Sequence, residues 1–325
     1  MLKAFFWSRK WALWAYGGGT GLLVALYAQV YMSVLLNDWY GRYYDILQKP
    51  TEHGIAAFWN NLWEWVFIVI PYILVATGVS YFTRLYTLQW REAITFNYIP
   101  RWRNVHEEIE GASQRIQEDT FRFARIVESL GLQVVRAIMT LFAFLPVLWK
   151  LSNKVNVVFL NDIPGALVWV AIATSFGGMV ISWLVGVKLP GLEYNNQKVE
   201  AAFRKELVLG EDDKINHSSI ETLTELFTGI RFNYRRLYLH YGDFDLWVWF
   251  YDQAVSLLPE ILAAPALFAG KVTLGVIMQV GNAFAKVHNS FALFVHNWTT
   301  VTELRSIWKR LHEFEANLEK YKVSG

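Results

Sequence analysis

Cysteine is absent from this chain, which excludes a disulfide framework, a thiolate metal site and a cysteine nucleophile. Charge is scarce too: Asp, Glu, Lys and Arg make up 18% of the 325 residues, against about 25% in globular chains. The net charge of +2 is too small for a nucleic-acid surface, which needs a concentrated basic face. The histidines, at 53, 106, 217, 240, 288, 296 and 312, show neither H-E-x-x-H nor a carboxylate at metal-ligand spacing. No G-x-x-x-x-G-K-[ST] phosphate cradle occurs. The only Gly-Lys pair, Gly270 and Lys271, is followed by Val272 and has Pro265 where the first glycine belongs. No cofactor, metal or nucleic acid is implied, and nothing supplies the nucleophile–base pair or oxyanion signature of an enzyme.

What is abundant is apolar surface. Hydrophobic residues reach 54%, with 16 Trp, 16 Tyr and 22 Phe, and they fall in runs long enough to cross a hydrocarbon core of about 30 Å. Residues 11–37 and 163–187 carry no charge, residues 65–83 carry none, and residues 129–149 carry only Arg136. Two weaker runs follow, 246–270 with Asp252 and Glu260, and 272–302 with Lys286. The apolar run after Lys10 is too long for a cleaved signal peptide and has no small-residue cleavage site, so it reads as a retained span. Six spans place 23 basic residues on one side and 5 on the other, with Arg136 and Lys286 inside spans. By the positive-inside rule both termini are then cytoplasmic.

The two long cytoplasmic connections are rich in helix formers rather than in Pro, Gly or Ser. Arg115 and Asp119, Glu118 and Arg122, and Glu200 and Arg204 stand at the i, i+4 spacing that supports exposed helices. Each connection is expected to be a helical hairpin, turning near residues 100–104 and 211–219. The 270–275 loop allows little more than a turn, so the fifth and sixth spans are expected to be antiparallel neighbours.

Several blocks resemble one family: Glu110 to Asp119 with Phe123 and Ala124, residues 137–147, Lys188 to Glu193 with Asn196 and Gln197, Val199 to Leu207, Gly210 to Asp213, Asn297 to Thr300, and Lys309 to Leu311. Over about residues 31–314 the chain resembles the SbmA/BacA-type bacterial peptide transporters, whose membrane region is similar to the transmembrane domain of ABC exporters. The resemblance implies an all-α integral membrane protein. It would be a single transmembrane domain of six helices (about 11–37, 63–85, 129–151, 163–188, 243–269 and 273–302) with cytoplasmic hairpins at about 86–128 and 189–240 and no nucleotide-binding domain. It further implies a homodimer in the bacterial inner membrane that imports peptides and peptide-like antibiotics with the proton gradient. Its partners would be a second copy, peptides, protons and the lipid bilayer. Longer members carry an extra N-terminal hydrophobic segment, whereas this chain begins almost at the first shared span. A permease half served by a separate ATPase stays open beside this reading.

A proton-driven carrier needs carboxylates that change protonation, and ionisable groups at membrane depth are the natural suspects. Glu193, Glu200 and Glu211 lie 7 and 11 residues apart, which on a continuous helix keeps them within about 20° of one stripe roughly 27 Å long. Glu118 and Glu128 lie on the opposing hairpin in family-matched segments, and Glu260 follows Pro259 inside a span. All six are proton-coupling candidates, and all six equally fit surface salt-bridge or interfacial positions. Tyr40, Tyr44 and Asp45, near Asp38, Trp39 and Tyr43, are candidates for an aromatic and acidic mouth facing cationic peptides. An interfacial aromatic belt accounts for the same residues. Gln114, Arg115 and Asp119 in one family-matched block and Arg310 in another are candidates for bracing the conformational cycle. Gly17 to Gly21 superficially resembles a dinucleotide loop, but it lies in an apolar span with no strand before it, which favours close helix packing.

Overall fold

The computed structural model describes residues 1–105, 109, 111–155, 160 and 163–321, and for 294–296, 298 and 299 the backbone only. Glu110, His106 and the side chains of His296, Trp298 and Thr299, all part of the sequence reading above, lie outside that description. Nearly all of the described residues are helical, and no strand occurs among them. In chain order the helices are α1 (Leu2–Phe6), α2 (Leu13–Gln48), α3 (Pro50–Arg103), α4 (Ala112–Ser152), α5 (Ala166–Gly186), α6 (Leu189–Asp212), α7 (Ile220–Phe268), α8 (Leu274–His296) and α9 (Trp298–Lys320).

Among the described residues four stretches are long and apolar enough to cross a membrane: α2, α3, α4 and the run from α5 into α6. The fifth expected span is helical within α7, whereas the sixth, expected over 273–302, is divided at Asn297 between α8, which ends at His296, and α9, which begins at Trp298. Asp252 and Glu260 in one, and Gln279, Asn282 and Lys286 in the other, hold them below that standard of apolarity. The α3 helix ends at Arg103 and α6 at Asp212, with their successors starting at Ala112 and Ile220. At Gly54 (φ 69°, ψ 166°) α3 is broken by a conformation that a Cβ would strain. Prolines 71, 146 and 259 interrupt apolar helices, where removing one backbone donor is tolerated if neighbours resatisfy the carbonyls. Three segments adopt the wide i→i+5 turn: Leu13–Gly18 in α2, and Arg115–Asp119 and Val127–Gly131 in α4.

The chain forms two compact units, Met1–Ile172 with Pro259–Gly325, and Ala173–Leu258. In the first, the core collects at the ends of α3, α4 and α9 together with α1. Phe5, Ile94, Tyr98, Phe123, Ile307, Leu311 and Leu318 are almost fully buried there. On α9 the buried positions 307, 311, 314 and 318 follow helical periodicity, so one apolar stripe seats this otherwise polar helix. Each such side chain contributes about 1.5–3 kcal/mol by leaving water. Phe5 stacks on Trp90 at 5.7 Å and Tyr98 donates to Glu315 at 3.0 Å. Burial first, then the adjacent Glu315 carboxylate, pushes the Tyr98 phenol far above its ordinary range.

The second unit is built on α5, α6 and α7. Trp247 donates its indole N–H to Ser182 Oγ at 3.0 Å, and Tyr251 donates to the Thr174 carbonyl at 2.8 Å. The Tyr251 ring lies against Gly178, where any side chain would collide with it. Phe203 and Phe227 meet edge to face at 5.9 Å.

Candidate functional site

The wide turn at Arg115–Asp119 points Asp119 inward, and its side chain is only 2% exposed. Arg310 on α9 grips it with two bonds, Nε to Oδ2 at 3.0 Å and Nη2 to Oδ1 at 2.7 Å. Arg115 adds Nη1 to Oδ2 at 2.8 Å. Burial works to raise the Asp119 pKa, but hydrogen bonds from Arg310 and Arg115 outweigh it, and the carboxyl is held below its ordinary value. Arg310 also donates to Ser306 Oγ at 2.9 Å, so a planar guanidinium is fixed in the fork that bidentate pairing requires. Gln114 donates to Glu118 at 3.2 Å, and Glu118 pairs with Arg122 at 2.7 Å. Arg115, Asp119 and Arg310 thus form one network joining α4 to α9, while Gln114 bonds instead to Glu118, which pairs with Arg122.

The other carboxylates are placed differently. Glu193, Glu200 and Glu211 all lie on α6, which is continuous, Glu193 half-buried and the others exposed. None of the three forms an ion pair among the described residues, and the Glu200–Arg204 pair that spacing suggested is not made. Glu193 lies near Tyr241, whose pKa is raised chiefly by burial and secondarily by Glu193 and Asp245. Glu260 is exposed on α7. Glu128 is half-buried in the second wide turn of α4 and lines a cleft of about 410 Å³ among α2, α3 and α4.

At the opposite end of α2, Trp39 stacks on Tyr43 at 4.8 Å, Tyr40 lies 6.5 Å from Tyr44, and Trp39 donates to the Asn61 carbonyl at 2.8 Å. Asp45 accepts from the Gly275 N–H at 3.0 Å and Gln48 from Leu274 at 2.8 Å, so both cap the start of α8. Gly275 is needed there, because a Cβ would run into the Gly41 carbonyl and Asp45. Gly18, in the glycine-rich stretch, packs on the Tyr86 ring, where an added Cβ would sit 3.1 Å from Cδ2.

Sequence reasoning passed over Gln29 and Asn37 in α2. Both are buried and carry side-chain atoms with no hydrogen-bond partner among the described residues. Their signal was the presence of amides inside an otherwise apolar span. Glu206 was also missed: it accepts from the Ser218 N–H at 2.9 Å, and its carbonyl accepts from Ser218 Oγ at 2.7 Å, which closes the α6–α7 turn.

A helical chain with several bilayer-length apolar helices and charge networks at the helix ends defines an integral membrane protein. Residues 8–319 match the SbmA/BacA-like family, and the chain belongs to that family. It is 26% identical over 321 residues to the inner membrane ABC transporter ATP-binding protein YddA of Escherichia coli, covering 92% of this chain and 56% of that protein. An uncharacterized ABC transporter ATP-binding protein of Synechocystis is 24% identical over 331 residues, or 95% of this chain and 47% of its own. The chloroplastic ABC transporter D family member 2 of Arabidopsis thaliana is 26% identical over 265 residues, 75% of this chain and 36% of its own. The chain therefore spans about half the length, or less, of the curated relatives it matches.

Proposed function

We propose that the chain is one protomer of a homodimeric importer in the bacterial inner membrane, with both termini cytoplasmic. It would take up peptides and peptide-like antibiotics by alternating access, driven by the proton gradient. Family membership over residues 8–319 carries this reading. It is supported by the contrast between the locked Asp119 and the acids of α6, which have no ion-pair partner among the described residues and so are free to exchange protons. Protonating the α6 stripe removes like-charge repulsion and biases a two-state equilibrium, and release of the proton inside resets it. The membrane potential adds about 2.3 kcal/mol per charge per 100 mV to inward movement of cations. In this scheme Gln114, Arg115, Asp119 and Arg310 hold α9 to α4 through the cycle, and Tyr40, Tyr44 and Asp45 lie at the outer mouth.

The names of the relatives favour a second reading, a permease that works with an ATP-binding partner. Peptide uptake into vesicles separates the two. Uptake that rises with an imposed inward proton gradient and is indifferent to ATP is the expected result. Uptake that ignores the gradient and requires ATP together with an added ATPase overturns proton coupling and establishes the second reading.

A further inference from the structure

The cleft beside Glu128 carries a ligand chemistry of its own. It opens where two wide turns border it, Leu13–Gly18 contributing Ala15 and Tyr16, and Val127–Gly131 contributing Glu128. Such turns enlarge the helix locally and recur at functional sites. Among the lining residues Glu128 is the sole carboxylate, and no lysine, arginine or histidine lines the cleft. It has no hydrogen-bond or ion-pair partner among the described residues. The neighbouring polar groups do not serve it: Tyr86 OH donates to the Ala15 carbonyl at 3.1 Å and Thr83 Oγ1 to the Val79 carbonyl at 2.7 Å.

The walls are aromatic and aliphatic. Phe6 meets Tyr16 and Trp90 edge to face, at 6.2 and 5.5 Å. Trp90 is 8% exposed, and its indole N–H has no partner among the described residues. A half-buried anion without a counter-charge is costly, and here it faces ring systems that attract cations on their π-faces. A volume of about 410 Å³ falls in the range of sites that enclose a small organic molecule.

We infer that this cleft binds an organic cation with an apolar body, its charge opposite Glu128 and its body against Phe6, Tyr16 and Trp90. The inference shares Glu128 with the proton-coupling reading but stands on the cleft. Binding measured at equilibrium, without any gradient, can therefore fail while gradient-driven uptake survives, and the reverse.

The test is equilibrium dialysis of the purified chain in neutral maltoside micelles against tetraphenylphosphonium. Tetraphenylborate, its anionic counterpart in shape, is the charge control. Saturable binding of the cation alone is expected, weakened at least tenfold in Glu128→Gln, largely retained in Glu128→Asp, and unchanged in Glu313→Gln on the exposed face of α9. Should Glu128→Gln fail to fold, Thr87→Trp fills the cleft from its α3 wall and is expected to abolish binding with helix content intact. Equal binding of the borate, or wild-type affinity in Glu128→Gln or Thr87→Trp, overturns the proposal. So does displacement by added phosphatidylethanolamine, which would assign the cleft to a lipid ammonium.

Discussion

Asp119 in the first unit and the acids along α6 in the second are held in opposite ways. In the first, Asp119 is buried and bonded by two arginines, one on its own helix and one 191 residues away. In the second, Glu193, Glu200 and Glu211 share one helix with no cationic partner among the described residues. A carboxylate whose ionised form accepts three charge-assisted hydrogen bonds stays ionised and works as a fastener. A carboxylate without such bonds is free to respond to whatever approaches it. The same residue class thus serves rigidity at Asp119 and is left available at Glu193, Glu200 and Glu211.

Removing the fastener is the most severe way to test this contrast. Asp119→Ala leaves Arg310 and Arg115 facing each other across a largely buried space. Stranding a buried partner in this way costs about 3–5 kcal/mol when the whole pair is enclosed. Because the arginines retain about a quarter to a third of their exposure, the expected loss is nearer 2–3 kcal/mol. Denaturant unfolding in detergent would measure it. A loss under about 0.5 kcal/mol, the level of an ordinary surface change, would mean that the network braces nothing.

Acid probes the same link more gently. The Asp119 carboxyl titrates below its ordinary 3.8 in the folded chain. A depressed carboxylate contributes stability that is fully present above the unfolded value and is lost as the pH falls through the folded one. Stability should therefore hold down to about pH 4 as far as this group is concerned and fall below it. In Asp119→Asn that component of the acid slope should vanish. Identical pH profiles for the two proteins would show that other groups govern acid unfolding.

Parts of this arrangement were legible in the sequence and parts were not, and distance along the chain separates them. The i, i+4 pairs Arg115–Asp119 and Glu118–Arg122 could be read from spacing because helix geometry alone brings them together. The same rule suggested Glu200–Arg204, which the structure does not make: both side chains are exposed, where holding two long side chains together costs about what the pairing gains. Family resemblance flagged both Asp119 and Arg310, but their bidentate joining depends on how α9 seats its apolar stripe, which no local pattern encodes. Asp45 drew notice for its aromatic neighbours, whereas its visible engagement is with the start of α8, 230 residues away. The helices themselves were easy to see, since long apolar runs leave a backbone in lipid few other ways to satisfy its hydrogen bonds. The weaker pair, α7 and α8, shows how a few charged and amide side chains blur that signal without ending the helix.

The mildest change completes the contrast from the other side. Glu193→Gln, Glu200→Gln and Glu211→Gln remove no ion pair that the described residues make. Each should shift the unfolding free energy by less than about 0.5 kcal/mol. In the combined variant the effects should stay nearly additive, since the side chains are 7 and 11 residues apart on one helix and share no partner. If these acids carry protons, the combined variant loses gradient-driven uptake while its stability barely moves, a split that the Asp119 variants cannot produce. A combined loss of stability as large as that of Asp119→Ala would erase the distinction, because it would show that the α6 acids hold the fold together in the same way.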